Sequence, residues 1–272
     1  MSVFFDTHAH LDYPDFAQDI AEVVARAKAA GITKIISIGT NLESSRRAIA
    51  LSERFSEVFA VAGWHPTDVL HAPEDVRPEL RELAKHPKVV AIGETGFDYY
   101  RMPSKDEKHT AADDERYKKR QADIFEQQLE VAAEAGLNCV IHQREALDDT
   151  LAAMERWRGR VRGVFHCFAG DVAQMRRVVE VGSLVSFTGI LTFKNGQNIR
   201  DTLATTPADK FMLETDCPFL APVPYRGKRC EPAYVKEIAE FAAEVRGCSR
   251  DELSRATCET ATGFFRHLCS ST

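Results

Sequence analysis

The sequence lacks the features that mark membrane proteins, secreted proteins and proteins that coat nucleic acids. None of its apolar runs approaches the ~20 residues that a membrane-spanning helix needs. Its first residues lack the basic region of a signal peptide, so we expect the first strand to belong to the mature fold. A net charge of −6 argues against a broad basic surface that contacts many phosphates.

Cysteine pairs and nucleotide-binding glycine motifs are also missing. The seven cysteines are odd in number and include no Cys-x-x-Cys pair. This usage argues against a disulfide framework or a thiolate zinc site and favours a cytoplasmic location. No Gly-x-Gly-x-x-Gly motif follows an apolar run, so a dinucleotide-binding sheet has no support.

Eight short apolar runs alternate with segments of helical periodicity. The predicted strands are 3–5, 34–38, 58–62, 89–92, 138–142, 161–166, 184–187 and 210–216, and the predicted helices are 15–31, 42–54, 74–86, 114–136, 145–158, 171–181, 196–205, 231–246 and 249–267. Eight βα units favour an α/β fold of the (β/α)8 TIM-barrel type, with an extra C-terminal helix, over a doubly wound sheet. No linker or low-complexity tract divides the chain, which predicts a single domain over residues 1–272.

Two histidines stand at the end of the first predicted strand, in the segment Asp6-Thr-His-Ala-His-Leu-Asp12. Because successive side chains on a strand point to opposite faces, His8 and His10 share a face and could together bind a cation. Taken alone, the pair fits polar loop residues as well as it fits a metal site.

Further residues that can bind metal follow the other predicted strands. They are His65 after the third strand, Glu94 after the fourth, His142 after the fifth, His166 after the sixth and Asp216 after the eighth. In a parallel barrel these strand ends lie on one face, where active sites are built. Each residue alone fits a core or turn position, but their agreement on one face predicts a single cluster.

The predicted cluster has more donors than one ion needs, since a catalytic ion typically takes about three or four protein ligands. Two divalent ions that share a carboxylate fit the number of donors better. The absence of cysteine from these positions favours Mg²⁺ or Mn²⁺, with Zn²⁺ as a further candidate.

Six motifs contain these residues. They are Asp6-Thr-His-Ala-His-Leu-Asp12, Gly63-Trp-His-Pro66, Gly93-Glu-Thr-Gly-Phe-Asp98, His142-Gln-Arg144, Phe165-His-Cys-Phe-Ala-Gly170 and Glu214-Thr-Asp-Cys-Pro-Phe-Leu-Ala-Pro222. Over essentially the whole chain the sequence resembles the TatD-type metal-dependent deoxyribonucleases of the amidohydrolase-like barrel superfamily. The resemblance implies an exonuclease that hydrolyses DNA phosphodiester bonds at 3′ ends with Mg²⁺ or Mn²⁺.

The resemblance also implies a role for each residue of the cluster. By the family pattern, His8 and His10 would hold one ion and His142 and His166 the other, with Glu94 between the two ions. Asp216 would ligate metal and act as the general base on the attacking water, so that Asp216 and Glu94 are the expected catalytic residues.

Several basic residues near the predicted site are candidates to contact substrate. His65 and Arg144 would contact phosphate, while Arg226, Lys228 and Arg229 would hold the nucleic-acid backbone or form an ordinary basic loop. The negative net charge predicts salt-sensitive action at nucleic-acid ends. We expect no membrane contact, and nothing in the sequence requires an obligate protein partner.

Two further questions stay open at the level of sequence. The charged segment 100–115 is either a solvated insertion or a substrate-facing flap, and Tyr99, Tyr100, Phe168 and Phe219 could stack on a base or pack in the core. The competing function is amidohydrolase-type hydrolysis of a small ester, amide or cyclic amide. A carbamylated lysine after the fourth strand would favour that alternative, and this chain has Glu94 there. A non-enzymatic scaffold would show gaps in the ligand set.

Overall fold

Eight parallel strands form one sheet whose spatial order follows the chain. The computed structural model describes residues 2–106 and 108–268, so Cys269 lies outside the described residues. The strands are β1 (Phe4–Ala9), β2 (Ile32–Ile38), β3 (Val58–Ala62), β4 (Val89–Asp98), β5 (Asn138–Arg144), β6 (Gly163–Phe165), β7 (Leu184–Phe187) and β8 (Phe211–Leu213). The predicted (β/α)8 TIM barrel is confirmed.

The helices that alternate with the strands surround this sheet. They are α1 (Ile20–Ala29), α2 (Leu42–Arg54), α3 (Arg77–Ala84), α4 (Ala111–Ala135), α5 (Leu147–Arg156), α6 (Val172–Glu180), α7 (Gln197–Thr205), α8 (Val235–Arg246) and α9 (Arg250–Phe264). The last of these is the predicted extra C-terminal helix. Among the described helices, none has a stretch long and apolar enough to cross a membrane.

Strands of the barrel are buried on both faces, as parallel strands between two apolar layers must be. In β3, Val58 and Ala60 belong to the core between the sheet and the helices, whereas Phe59 and Val61 belong to a second cluster inside the barrel. Leu268, which follows α9, joins this inner cluster. The polar strand ends therefore lie above an apolar floor.

Residues just beyond β8 complete the barrel beside the two histidines of β1. The backbone N–H of His10 donates to the carbonyl of Cys217 at 2.8 Å, and the N–H of Asp216 donates to the carbonyl of His8 at 2.9 Å. The buried carboxylate of Asp6 accepts from the backbone N–H and the hydroxyl of Thr215, at 2.9 and 2.6 Å. The same hydrogen bonds that join β1 to β8 therefore place His8 and His10 beside Asp216.

Several sequence-based boundaries are wrong. The predicted helix 15–31 is a 3-10 turn at Pro14–Phe16 followed by α1, and α4 begins at Ala111, within the predicted loop 100–115. Strand β4 continues past Ile92 to Asp98, with a shift of its pairing with β5 between Ile92 and Thr95. This continuation places both Glu94 and Asp98 on one strand.

Asp12, which follows the two histidines of the first motif, is hydrogen-bonded to the second helix. Its carboxylate accepts from the hydroxyl of Ser44 at 2.7 Å and from the guanidinium of Arg47 at 3.0 Å, both on α2. It therefore connects the first loop of the barrel face to the second βα unit.

Two buried glutamines of α4 hold the ends of β3 and β4. Gln128 accepts from the N–H of Trp64 and donates to the carbonyl of Trp64 and the hydroxyl of Thr95, at 2.8, 3.0 and 2.6 Å. Gln121 lies about two turns earlier on the same face of the helix. It accepts from the backbone N–H of Asp98 and donates to the carbonyl of Asp98, each at 3.1 Å. Because Trp64 and Thr95 flank His65 and Glu94, α4 fixes the spacing of these two site residues.

We expect Gln128→Leu to lower the free energy of unfolding by about 2–4 kcal/mol, because it leaves buried backbone and hydroxyl groups without partners. Urea unfolding followed by circular dichroism measures this change. Gln197→Leu, at an exposed position of α7, is the matched control and should stay within about 0.5 kcal/mol of the parent protein. Equal stability of the two variants would contradict the role assigned to Gln128.

Candidate metal centre

The predicted strand-end residues meet in one cavity of about 260 Å³ at the carboxyl ends of the strands. His10, Glu94, His142 and His166 line it together with Asp216, while His8 lies fully buried beneath them. The structure thus brings together all six residues that the sequence nominated as metal ligands.

Glu94 is the centre of this cluster. Its Oε1 lies 2.8 Å from Nε2 of His166, 2.9 Å from Nδ1 of His142 and 3.2 Å from Nε2 of His65. Its Oε2 lies 3.4 Å from Nε2 of His8. The two oxygens of one carboxylate therefore face different histidines.

His8, His10 and Asp216 form a second group around the β1–β8 junction. Nε2 of His10 lies 3.4 Å from Oδ1 of Asp216 and 3.3 Å from Nε2 of His8. Nε2 of His8 lies 3.7 Å from the same carboxylate oxygen. Three donor atoms from two neighbouring chain segments therefore point at one space.

The separations of these donor atoms fit metal coordination. At a metal–nitrogen distance of about 2.1 Å, two ligand atoms of a tetrahedral site lie about 3.4 Å apart. The observed nitrogen–nitrogen distances are 3.3 Å for His8 and His10 and 3.4 Å for His142 and His166. In three groups of side chains the potential ligand atoms lie within 4.8 Å of one another: His8 with Glu94 and His166, His8 with His10 and Asp216, and His65 with Glu94 and His142.

Burial and charge act in opposite directions on the pKa values of the cluster. Burial raises the pKa of Glu94, but electrostatic interactions with His166 and His65, with hydrogen bonds from His142 and His166, bring it well below its usual value. Burial lowers the pKa of His166, while Glu94 and Glu214 raise it well above its usual value. Glu94 is therefore a carboxylate, which is the form that can bind metal.

Asp98 determines which nitrogen His142 presents to the cavity. The Asp98 carboxylate is fully buried, and its Oδ2 accepts a hydrogen bond from Nε2 of His142 at 3.1 Å. Because the carboxylate can only accept, Nε2 carries a proton, and Nδ1 is the nitrogen that faces Glu94. A carboxylate behind a histidine in this way orients the ring and raises its basicity toward a metal.

His65 presents a proton rather than a lone pair. The backbone N–H of Thr67 donates to Nδ1 of His65 at 3.1 Å, so the proton of the neutral ring lies on Nε2, which faces Glu94. Burial lowers the pKa of His65 and so favours this neutral ring. The arrangement suits a hydrogen-bond donor to substrate, although His65 lies within the cluster rather than at its rim.

Glu214 supports His166 from behind the cavity. Its Oε1 lies 3.7 Å from Nδ1 of His166 and accepts a hydrogen bond from the N–H of Cys167 at 2.7 Å. The ring of His166 also stacks on that of His8, with centroids 4.0 Å apart. Asp98 and Glu214 both lie in the motifs quoted from the sequence, but only the pairing of β4 with β5, and of β6 and β8 with β7 between them, shows which histidine each one faces.

The predicted substrate contacts do not all reach the cluster. Arg144 lines a larger neighbouring cavity and lies over the ring of Tyr100, 3.6 Å from its centroid. Arg226 lies over the ring of Phe193 at 3.5 Å, and Lys228 is an exposed residue of the same loop. Arg229 is bound to Asp19 by two hydrogen bonds of 2.8 and 2.7 Å, which tie the loop to the first helix.

Of the four aromatic residues considered as base-stacking candidates, Phe168 is buried and Phe219 is half exposed. Tyr100 supports Arg144, and the hydroxyl of Tyr99 donates to Asp149 at 2.6 Å. The start of the charged segment 100–115 does face the site, because Arg101 lines the cavity of the candidate metal centre. Sequence reasoning gave no role to Arg101.

Comparison with known proteins places this arrangement in a family context. A family model described as TatD related DNase matches residues 5–266. The uncharacterized metal-dependent hydrolase YabD of Bacillus subtilis is 37% identical over 265 residues, which cover 97% of this chain and 99% of YabD. The 3′-5′ ssDNA/RNA exonuclease TatD of Enterobacter lignolyticus is 36% identical over 259 residues, 93% of this chain and 95% of that protein. The crystal structure of YJJV, a TatD homolog from Escherichia coli, has a TM-score of 0.86 at 28% identity and covers 96% of this chain, with 97% of YJJV matched.

Asp98→Asn should weaken binding of divalent metal by about 10- to 100-fold, because it removes the negative charge behind His142. Titration calorimetry of the metal-free protein with Mn²⁺ measures this affinity. Asp75→Asn removes an exposed carboxylate that pairs with Arg77 far from the cluster, and this control should bind Mn²⁺ as the parent does. An unchanged affinity in Asp98→Asn means that Asp98 does not support a metal ligand.

Proposed function

The chain belongs to the TatD-related DNase family of metal-dependent hydrolases, and on that premise we propose that it is a deoxyribonuclease that removes nucleotides from the 3′ ends of single-stranded DNA. The polarity and the single-stranded substrate follow the exonuclease name of the Enterobacter relative. His8, His10, Glu94, His142, His166 and Asp216 are the proposed ligands of two divalent ions, Mg²⁺ or Mn²⁺, with Zn²⁺ as a further candidate.

The observation that carries the proposal is the position of Glu94 between two sets of histidines. Oε1 faces His142 and His166 at 2.9 and 2.8 Å, and Oε2 faces His8 at 3.4 Å. A carboxylate shared in this way fits a pair of ions, the arrangement that phosphodiester hydrolysis commonly uses. Two divalent ions bound there would supply charge neutralisation at the phosphoryl group and lower the pKa of a water from 15.7 to about 7.

Asp216 is the proposed base that accepts the proton of the attacking water. Burial raises the pKa of this carboxyl group, but the hydrogen bond with His10 and the charges of His8 and His166 lower it below its usual value. The group is therefore ionised at neutral pH and can accept a proton. It lines the cavity, so that its carboxylate is accessible from there.

Phosphate recognition is assigned to residues around the ligands. The proton on Nε2 of His65 points into the cluster, where it can donate to a phosphoryl oxygen. Arg144 lines the adjoining cavity, and Arg226 and Lys228 lie on the loop beyond β8, where they are proposed to hold the backbone farther from the scissile bond. No step of the hydrolysis requires a second protein chain.

Metal removal tests the proposal directly. Protein dialysed against EDTA should not degrade a 3′-labelled single-stranded oligodeoxynucleotide, and added Mg²⁺ or Mn²⁺ should restore degradation, because the ligand cluster then refills. A panel of p-nitrophenyl esters and phosphodiesters, assayed with the same metals, tests the amidohydrolase alternative. Degradation that persists in excess EDTA contradicts the metal mechanism, and turnover of esters without nuclease activity contradicts the assigned substrate.

Asp216→Asn should lower kcat by about 100- to 10,000-fold at saturating metal, since it removes the proposed general base. Gel-based single-turnover assays over a range of Mn²⁺ concentrations separate this loss from weaker metal binding. Asp75→Asn again provides a charge-matched control with unchanged turnover. Near-normal turnover by metal-saturated Asp216→Asn would remove Asp216 from the mechanism.

A further inference from the structure

A second and larger cavity adjoins the cavity of the candidate metal centre. Its volume is about 890 Å³, within the range of about 300–1,000 Å³ that is usual for ligand sites. Five residues line both cavities and so mark the passage between them: Arg101, His142, His166, Asp216 and Phe219. Three of these are proposed metal ligands. The other two are a cation and an aromatic ring.

Phe219 projects into this passage from the loop that follows β8. Its backbone N–H donates to the carbonyl of Asp216 at 3.0 Å, which fixes its distance from the cluster along the chain. The ring contacts Tyr13 edge to face, with centroids 6.2 Å apart, yet 51% of the residue is exposed. A half-exposed phenylalanine at the mouth of a polar cavity offers a face on which a planar group can stack.

Arg101 reaches the passage from the end of β4. Its backbone N–H donates to Oδ1 of Asp98 at 2.8 Å, while Oδ2 of the same carboxylate binds His142. One buried side chain therefore fixes both a proposed metal ligand and the point at which Arg101 leaves the strand. Of the other arginines in the larger cavity, Arg177 is paired with Asp148 at 2.7 Å and Arg144 lies over Tyr100.

We propose that Arg101 and Phe219 grip the end of the nucleic-acid strand at this passage, Arg101 binding a phosphate next to the scissile one and Phe219 stacking on an adjacent base. The inference rests on the proposed nuclease function. A guanidinium is suited to phosphate oxygens, and an aromatic face binds any unpaired base. Stacking on Phe219 needs a base that is free of its complement, so the grip selects single strands and the larger cavity receives the nucleotides beyond it.

The pair can be separated experimentally because its two members recognise different parts of a nucleotide. The probes are a fluorescent oligothymidylate and the same strand with abasic units in its last two positions at the attacked end. Binding is measured by fluorescence anisotropy in EDTA, where hydrolysis is excluded, and cleavage of both strands is measured with Mn²⁺. The variants are Arg101→Gln, Phe219→Leu and Phe219→Tyr, with Arg255→Gln on the exposed surface of α9 as the matched control.

The parent protein should bind the natural strand about 5- to 150-fold more tightly than the abasic strand, the contribution of stacking on one aromatic ring. Phe219→Leu should abolish this preference, and Phe219→Tyr, which keeps a ring, should retain it. Arg101→Gln should weaken binding of both oligonucleotides by a similar factor and keep the preference for the natural strand. It should also reduce the slope of log affinity against log salt by about 0.7, the contribution of one phosphate contact in a single strand. Arg255→Gln should match the parent.

The outcomes distinguish failure of the grip from failure of the proposed function. An unchanged base preference in Phe219→Leu, or an unchanged salt slope in Arg101→Gln, overturns the grip even when the protein cleaves DNA. Binding with the expected pattern but without cleavage in Mn²⁺ supports the grip and overturns the nuclease assignment. A parent protein that neither binds nor cleaves the oligonucleotides overturns both. Both residues are exposed, so thermal unfolding should show variants as stable as the parent.

Discussion

The arrangement of the barrel mouth depends on one buried carboxylate. Glu94 is 2% exposed, and an ionised group at that depth is very unfavourable unless positive or hydrogen-bonding partners surround it. Four histidines at or beyond the ends of four strands provide that surrounding, within 2.8–3.4 Å of its two oxygens. The same proximity that compensates the charge of Glu94 also brings together the donors that divalent ions need.

The backbone around Glu94 is constrained to match. The pairing of β4 with β5 shifts between Ile92 and Thr95, and Gly93 adopts φ +144°, where an added Cβ would lie 2.6 Å from the carbonyl oxygen of Val140. A side chain at this position is excluded by that contact and by the backbone conformation. Gln128 then holds Thr95 beside Trp64. Together, the packing of α4 and the irregular pairing of β4 direct the side chain of Glu94 toward the histidines.

Much of the candidate site could be predicted from sequence, because a parallel barrel brings the carboxyl ends of all its strands to one face. His8, His142 and His166 needed only a strand assignment accurate to one or two residues to be placed on one face. The carboxylate behind His142 could not be predicted in the same way. Asp98 faces His142 because β4 runs six residues beyond the end of its predicted strand, and that continuation depends on pairing with β5 rather than on local hydrophobic pattern.

The positions of loop residues are harder to predict from sequence than the positions of strand residues. In this protein the proposed metal ligands belong to the strands and their ends, and the proposed substrate contacts belong to the loops. The proposed ligands lie on strands, directly after a strand, or in the hydrogen-bonded junction of β1 with β8, whereas Arg101, Phe219 and Arg226 lie on the connecting segments. Loops tolerate changes in length and sequence that strands of a closed sheet do not. Within such a family, the metal-binding residues can therefore be kept while the nucleic-acid strand, base or end that the protein recognises changes. Arg101 connects the proposed substrate contacts with the proposed metal ligands, since Asp98 bonds to both the backbone of Arg101 and the ring of His142.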